Sequence, residues 1–438
     1  MSRQTGVYLV MEVTGRSGEA VRAPWVVTVA LAALILAGCS SSGQSGRPST
    51  EVGPSSSPTT TTAATPTTSP NGSPAKPVAI GFSDPVHGLL LVQSCGSLSC
   101  SSWVEITTDG GRYWQPRPPF ATYPATDYIK VQGVAVENPT PNPNRFGVDG
   151  VVLASASDAW AYGPGLFVTH DGGREFRRIS VGAPVLSVVA SGGQVWVLEQ
   201  RCFVVKHPTY SANACDRSVL LTGAANGDTL RPVVDQPPGF ALAPGYEPGT
   251  QFPLEVVAAG PELGVLAGVF GLDVTNDGGR TWRQDDYPCR SRYVSGGWPG
   301  GSVARDPSGS LWLVCAGEPS AGFQPKQLWR SFDDGRTWLG PYELLGAGYA
   351  DTLDVVSTTE AWAYGARAPI LHSTDGGRTW KAMLVNYFNS AFGGPRGFSA
   401  IGPDDAWIVA PQSGAPFPTK LFRTTDGGGN WFSGQLRG

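Results

Sequence analysis

One short motif occurs six times in this chain of 438 residues, and its spacing limits the fold more than any other feature. The copies are Thr107-Thr-Asp109-Gly-Gly111-Arg-Tyr-Trp114, Thr169-His-Asp171-Gly-Gly173-Arg-Glu-Phe176, Thr275-Asn-Asp277-Gly-Gly279-Arg-Thr-Trp282, Ser331-Phe-Asp333-Asp-Gly335-Arg-Thr-Trp338, Ser373-Thr-Asp375-Gly-Gly377-Arg-Thr-Trp380 and Thr424-Thr-Asp426-Gly-Gly428-Gly-Asn-Trp431. An Asp-Gly pair signals a tight turn, because the carboxylate bonds nearby backbone and Gly accepts positive φ. The hydroxyl two residues earlier can bond the same carboxylate, and the aromatic opens the returning strand with a large apolar side chain. Each copy therefore predicts a self-satisfied hairpin tip, with Asp109, Asp171, Asp277, Asp333, Asp375 and Asp426 in structural roles.

The Asp-to-Asp intervals are 62, 106, 56, 42 and 51 residues, so the second hides a unit without the motif. A small-Trp-small strand ahead of the motif locates it. That strand reads Asp158-Ala-Trp160-Ala, Ser310-Leu-Trp312-Leu, Glu360-Ala-Trp362-Ala and Asp405-Ala-Trp407-Ile, and the missing unit supplies Gln194-Val-Trp196-Val with an Asn226-Gly-Asp turn. A further β-rich strand precedes each, as in Leu186-Ser-Val-Val and Leu353-Asp-Val-Val. Four strands per unit and units of about 50 residues match propeller blades. The reading is all-β: a seven-bladed β-propeller over 78–438, with four-stranded antiparallel blades and the motif between third and fourth strands. Six or eight blades stay open, because 115–150 has room for further strands.

The motif resembles the Asp-box, or bacterial neuraminidase repeat. The chain also resembles photosystem II assembly-factor-like and sortilin-type propellers in having nearly one box per blade. That resemblance implies a propeller that binds. Sialidases share the box, but they add an Arg-Ile-Pro motif, an Arg triad and a Tyr/Glu pair. Here the nearest match is Arg178-Ile-Ser180, without the Pro and after the second box.

The N-terminus reads as an address. Arg16 and Arg22 precede an apolar run from Trp25 to Leu36, ending in Leu36-Ala-Gly-Cys39. The run has the length of a signal-peptide core and is short for a membrane span. Small residues before a Cys resemble the bacterial lipobox, which implies a leader over 1–38, lipid on Cys39 and an extracytoplasmic, membrane-anchored product. Met1 and Met11 are both candidate starts. Residues 39–77 form a Ser/Thr/Pro-rich segment with no aromatic, unable to bury enough apolar surface to order itself. As a flexible tether it spans about 30 Å.

Six further cysteines suit disulfides in an exported chain. The repeat register favours Cys95–Cys100 and Cys202–Cys215, each bracketing a hairpin between second and third strands, which leaves Cys289–Cys315. There is no Cys-x-x-Cys, the four His are scattered, and each box offers one carboxylate where a calcium loop needs several oxygen ligands. No metal and no cofactor are expected. Net charge is −4 and 15% of residues are charged, which argues against nucleic acid.

The candidate working surface is the face opposite the boxes, where Pro-, Gly- and aromatic-rich segments join the blades. Candidate binding residues are Glu255, Trp298, Tyr349 and Asp354. Glu255 and Asp354 interrupt apolar first strands, each directly before a Val-Val pair, which predicts a similar height along the channel. The expected partner is a protein or glycan, with no catalytic residue assigned. The alternative is a sialidase-like glycoside hydrolase using Glu255 and Asp354, since such chemistry needs two opposed carboxylates.

Overall fold

The computed structural model describes residues 75–96, 99–124, 128–131, 134–137, 148, 150–207, 210–235, 255–268, 271–289, 300–317, 324–344, 348–366, 368–383, 397–411 and 419–435. Leader, Cys39 and nearly all of the tether lie outside them, as does Trp298. Among the described residues there is no helix, and seven antiparallel sheets follow one another along the chain. Blade one starts at Lys76, and its outer strand is split into Gln115–Pro116 and Ala121–Pro124, both paired with the third strand Ser99–Thr107. The first strands of blades two to seven are Gly150–Leu153, Val185–Ser191, Glu255–Ala259, Gly300–Arg305, Tyr349–Val355 and Gly397–Ala400. The 115–150 stretch adds a separate hairpin, Tyr128–Val131 with Val134–Glu137, and no eighth blade. The unit without a box is blade three, whose second and third strands, Gln194–His207 and Tyr210–Ala224, are about twice as long as their counterparts.

The small-Trp-small strands explain how flat sheets stack into a ring. Trp160, Trp196, Trp312, Trp362 and Trp407 are fully buried, each filling the space toward the next blade. Gly264 in blade four is required by this packing, since a Cβ there would overlap the Trp196 ring. Blade seven meets blade one without strand exchange. Trp407 stacks on Phe82 with ring centroids 3.7 Å apart, and Phe82 N donates to Ser399 Oγ at 3.1 Å.

The boxes fold as the motif predicts. In blade one Thr107 Oγ1 donates to Asp109 Oδ1 at 2.8 Å, and that oxygen accepts from the backbone of Arg112 and Tyr113. Gly111 N donates back to Thr107 Oγ1 at 2.9 Å. The second glycine is the demanding one: Gly377 has φ 82°, and a Cβ would overlap Leu328 of blade five. The first position is more tolerant, as Asp334 holds it at φ 56°.

The box turns also clasp the ring. Five junctions send a donor from one blade into a carbonyl of the next blade's turn: Trp160 Nε1 to Ala225 O at 3.0 Å, Arg283 Nη2 to Asp334 O at 2.7 Å, Arg330 Nη1 to Gly376 O at 3.4 Å, His372 Nδ1 to Gly427 O at 3.0 Å and Trp407 Nε1 to Gly110 O at 2.9 Å. Asp375→Ala is expected to cost ~1–3 kcal/mol, toward the lower end because the turn meets solvent, since it strands Thr379 N and two hydroxyl donors. Denaturant unfolding measures it, and an unchanged midpoint would deny the box its stapling role.

Candidate functional site

The two faces of the ring differ in how their polar groups are satisfied. On the box face each carboxylate is consumed by its own turn. In blades four, five and six the Thr after the box Arg also donates to the second Asp oxygen, at 2.7, 2.7 and 2.6 Å. Burial acts to raise Asp109, Asp171, Asp333 and Asp375, but backbone and hydroxyl donors outweigh it and hold all four low. Asp277 and Asp426 are held low chiefly by the backbone N–H of Thr281 and Asn430. The box arginines Arg174, Arg280, Arg336 and Arg378 each donate to the carbonyl of their own box Asp. This face offers few unspent groups.

The opposite face, where first strands begin and second strands end, is different in blade four. Glu255 opens the first strand and pairs with Ala267 near the end of the second. As a residue it is half-buried, yet its Oε1 is sealed from water and meets no hydrogen-bond donor. Burial drives its carboxyl well above the ordinary range. Asp273, on the third strand, is fully buried, and neither of its oxygens has a donor in good hydrogen-bond geometry. Burial lifts it to about 7, and a loose hydrogen bond from the Gln284 side chain, its partner across the ladder, opposes that rise without cancelling it. Tyr287 follows the fourth strand, is buried, and donates from its hydroxyl to Gly268 O at 3.0 Å. Burial pushes its phenol upward, with Glu255 and Asp273 adding to the effect. Register puts Glu255 and Asp273 on opposite faces of the blade-four sheet, because Glu255 lies opposite Ala267 whereas Asp273 lies opposite Leu266.

The expectation of matching heights for Glu255 and Asp354 does not hold. Asp354 pairs with Trp362, at the box-face end of its strand, whereas Glu255 pairs with Ala267 at the other end. The cause is where each Val-Val pair falls in its strand. Val256-Val257 lie within the blade-four strand, which runs on to Ala259 opposite Gly264, whereas Val355 already ends the blade-six strand opposite Ala361. Asp354 Oδ2 accepts from Ala400 N of blade seven at 2.9 Å, the same position and duty as Ser399 toward Phe82 N. Asp354 thus ties two blades together. Tyr349 opens its strand at the end where Glu255 opens its own, pairing with Ala366, and its side chain lies outside the described set.

Among loop-segment aromatics that are described, Phe120 packs on Phe167 and Phe176 at 5.1 and 4.4 Å, and Tyr123, Tyr287 and Tyr342 also join core clusters. Two disulfides are formed, Cys95–Cys100 across the end of a hairpin and Cys289–Cys315 between blades four and five. Cys202 and Cys215 are register partners on the long hairpin of blade three, their side chains outside the described set. Among the described residues no group of His, Cys, Asp and Glu is arranged to hold a metal.

Sequence reasoning missed Asp273, Tyr287 and Glu105, although the repeat held a signal. Two residues before the box Ser/Thr, blades two, five, six and seven carry Phe167, Trp329, Leu371 and Phe422, facing the preceding blade. Blade four places Asp273 there and blade one Glu105, which burial also lifts to about 7. An acid in a slot otherwise filled by large apolar side chains is the mark that the alignment of units contained.

No protein-family model matches the chain, and no curated protein does. Similar solved structures include YCF48 bound to a D1 peptide, with 15% identity, a TM-score of 0.47 and coverage of 81% of this chain and 92% of that one. YCF48 from Cyanidioschyzon merolae has 16% identity, a TM-score of 0.44 and coverage of 66% and 86%. A polysaccharide lyase, the ulvan lyase PL25, has 11% identity, a TM-score of 0.47 and coverage of 82% and 95%. At these values they bear on neither partner nor activity.

Proposed function

We infer that this is a lipid-anchored, extracytoplasmic propeller that captures a protein or glycan on the face opposite its boxes and performs no chemistry. The observation that supports this reading is the contrast between faces. Box carboxylates and four of the five box arginines are spent on their own turns, whereas Glu255 keeps a sealed oxygen without a donor. A buried polar group without a partner is costly, and a donor brought by a ligand would relieve it. Tyr349 opens its strand at that same end, Trp298 lies two residues before the first strand of blade five in the sequence, and in this reading the two supply apolar contact while Asp354 is left to join blades. Cys39 holds the head at the membrane through its lipid.

The test is cross-linking in intact cells followed by identification of what co-purifies. Trp298→Ala and Glu255→Gln should reduce capture severalfold, Asp375→Ala should preserve it wherever the protein stays folded, and Cys39→Ser should abolish membrane partition. Unchanged capture in both loop-face variants would sink the reading.

One observation favours glycoside hydrolysis instead: burial drives the Glu255 carboxyl well above its ordinary range, the direction a general acid needs. Its expected partner carboxylate, Asp354, is bonded to Ala400 N at the far end of its strand. Glycan cleavage that disappears in Glu255→Gln would establish the enzyme.

A further inference from the structure

We propose that the ring carries pH-sensitive seams at two of its seven blade junctions, each closed by an imidazole held between an acid of its own blade and the turn of the next. At the junction of blades two and three, His170 Nδ1 lies 2.7 Å from Asp158 Oδ1, and Nε2 lies 2.8 Å from Asp228 Oδ1. Blade three is the blade without a box, and its turn acid Asp228 reaches across to the preceding blade. Arg177 pairs with Asp228 as well. At the junction of blades six and seven, His372 Nε2 lies 2.7 Å from Glu360 Oε1, and Nδ1 lies 3.0 Å from Gly427 O. The His372 ring stacks on Trp362 with centroids 3.8 Å apart and planes 6° off parallel. Asp158 and Glu360 occupy the same place in their blades, the acid before Ala-Trp-Ala-Tyr-Gly.

The argument is one of proton count. A neutral imidazole has one N–H and one acceptor nitrogen, whereas the imidazolium has two donors. Both nitrogens of each ring face oxygen acceptors: three of the four are carboxylate oxygens, which carry no hydrogen when ionised, and the fourth is the carbonyl oxygen of Gly427. Both bonds of each clasp therefore exist together only with the ring protonated. The charged groups around His170 are Asp158, Asp228 and Arg177, and those around His372 are Glu360 and, beside Gly427, Asp404. Ser155 and Ser157 donate to Asp158. Burial acts to raise Asp158, but these hydroxyls and His170 outweigh it and leave it lowered, so its side of the clasp is lost only as pH falls through that lowered value. The clasps are complete only while both nitrogens of the ring carry protons, and each loses one of its two bonds when the ring becomes neutral.

The other junctions show what makes these two distinct. Their donors into the next turn are Arg283, Arg330 and the Trp407 indole, none of which changes charge as an imidazole does. Weakening the two histidine seams divides the ring into a block of blades three to six and a block of blades seven, one and two. Trp160 Nε1 to Ala225 O and Ala400 N to Asp354 Oδ2 cross the same two junctions without involving an imidazole, so the seams loosen without opening. This device is independent of what the opposite face binds.

Hydrogen exchange on the folded full chain tests it, expressed as protection factors so that intrinsic pH dependence drops out. Between pH 5.5 and pH 8, protection at 225–230 and 426–430 should fall about tenfold, the scale of one charge-assisted hydrogen bond. Residues 333–337 and 375–379, clasped by arginine, should not follow. His170→Gln and His372→Gln should each make their own turn insensitive to pH. Equal loss at the arginine-clasped turns, no loss in the wild type, or full pH sensitivity in the Gln variants would each overturn the proposal. The wild-type comparison against its internal control decides the matter even if a variant fails to fold.

Discussion

Trp407→Ala should destabilise the propeller by about 3–5 kcal/mol, the range for truncating a large, fully buried aromatic. Three things are lost together: the stack on Phe82, the indole bond to Gly110 O at 2.9 Å, and the volume that fills the cluster between blades seven and one. This junction has no covalent continuity and no shared strand, so packing has to close the ring. Trp362, equally buried between blades six and seven, has its indole N–H unsatisfied and the chain running through its junction. Its truncation should therefore cost less. Denaturant unfolding of the two variants provides the comparison. A loss below about 1 kcal/mol for Trp407→Ala would mean that Ser399 and the backbone of blade one close the ring unaided.

The architecture was legible because it is written in repeated local chemistry. Asp109 and its counterparts specify a turn through bonds within five residues, and the Trp of each second strand marks an inter-blade space, so counting either gives the blades. Even the degenerate blade three was visible through Trp196. The site was less legible, because it depends on register. Glu255 and Asp354 look alike in sequence, each before Val-Val, but the pair opens onto the middle of the strand in blade four and closes the strand in blade six, so the acids lie at opposite ends. Where a strand begins and ends depends on its pairing partners, which a single strand does not encode. Asp273 was overlooked for a related reason. Its burial depends on blade three packing over it, while the local string Leu272-Asp-Val-Thr275 reads as an ordinary alternation of apolar and polar residues.

Stability should peak in mildly acidic solution and decline toward neutrality, a direction set by two opposed groups of carboxyls. The box aspartates have folded values below their unfolded ones, so their contribution is present above the unfolded value and is lost as pH falls through the folded one. Burial raises Glu105 and Asp273 to about 7, so the unfolded chain releases their protons first, and folding weakens as pH climbs from the unfolded values near 4 to about 7. Glu255, raised further by burial, continues that decline. Each of Glu105 and Asp273 carries a penalty on the order of 2–4 kcal/mol once ionised, taking ~1.4 kcal/mol per unit. Asp273→Asn should therefore raise stability at pH 7.5 by roughly 1–3 kcal/mol, allowing for the amide's own need for partners, and leave it nearly unchanged at pH 4. Glu105→Gln should do the same from blade one, and the two gains should add, because the acids belong to separate blades. Unfolding at the two pH values checks this. The effect is global, unlike the two turns governed by His170 and His372, so the two origins of pH dependence separate in the same samples. Equal stability of Asp273→Asn and wild type at pH 7.5 would mean that a donor already meets that carboxylate.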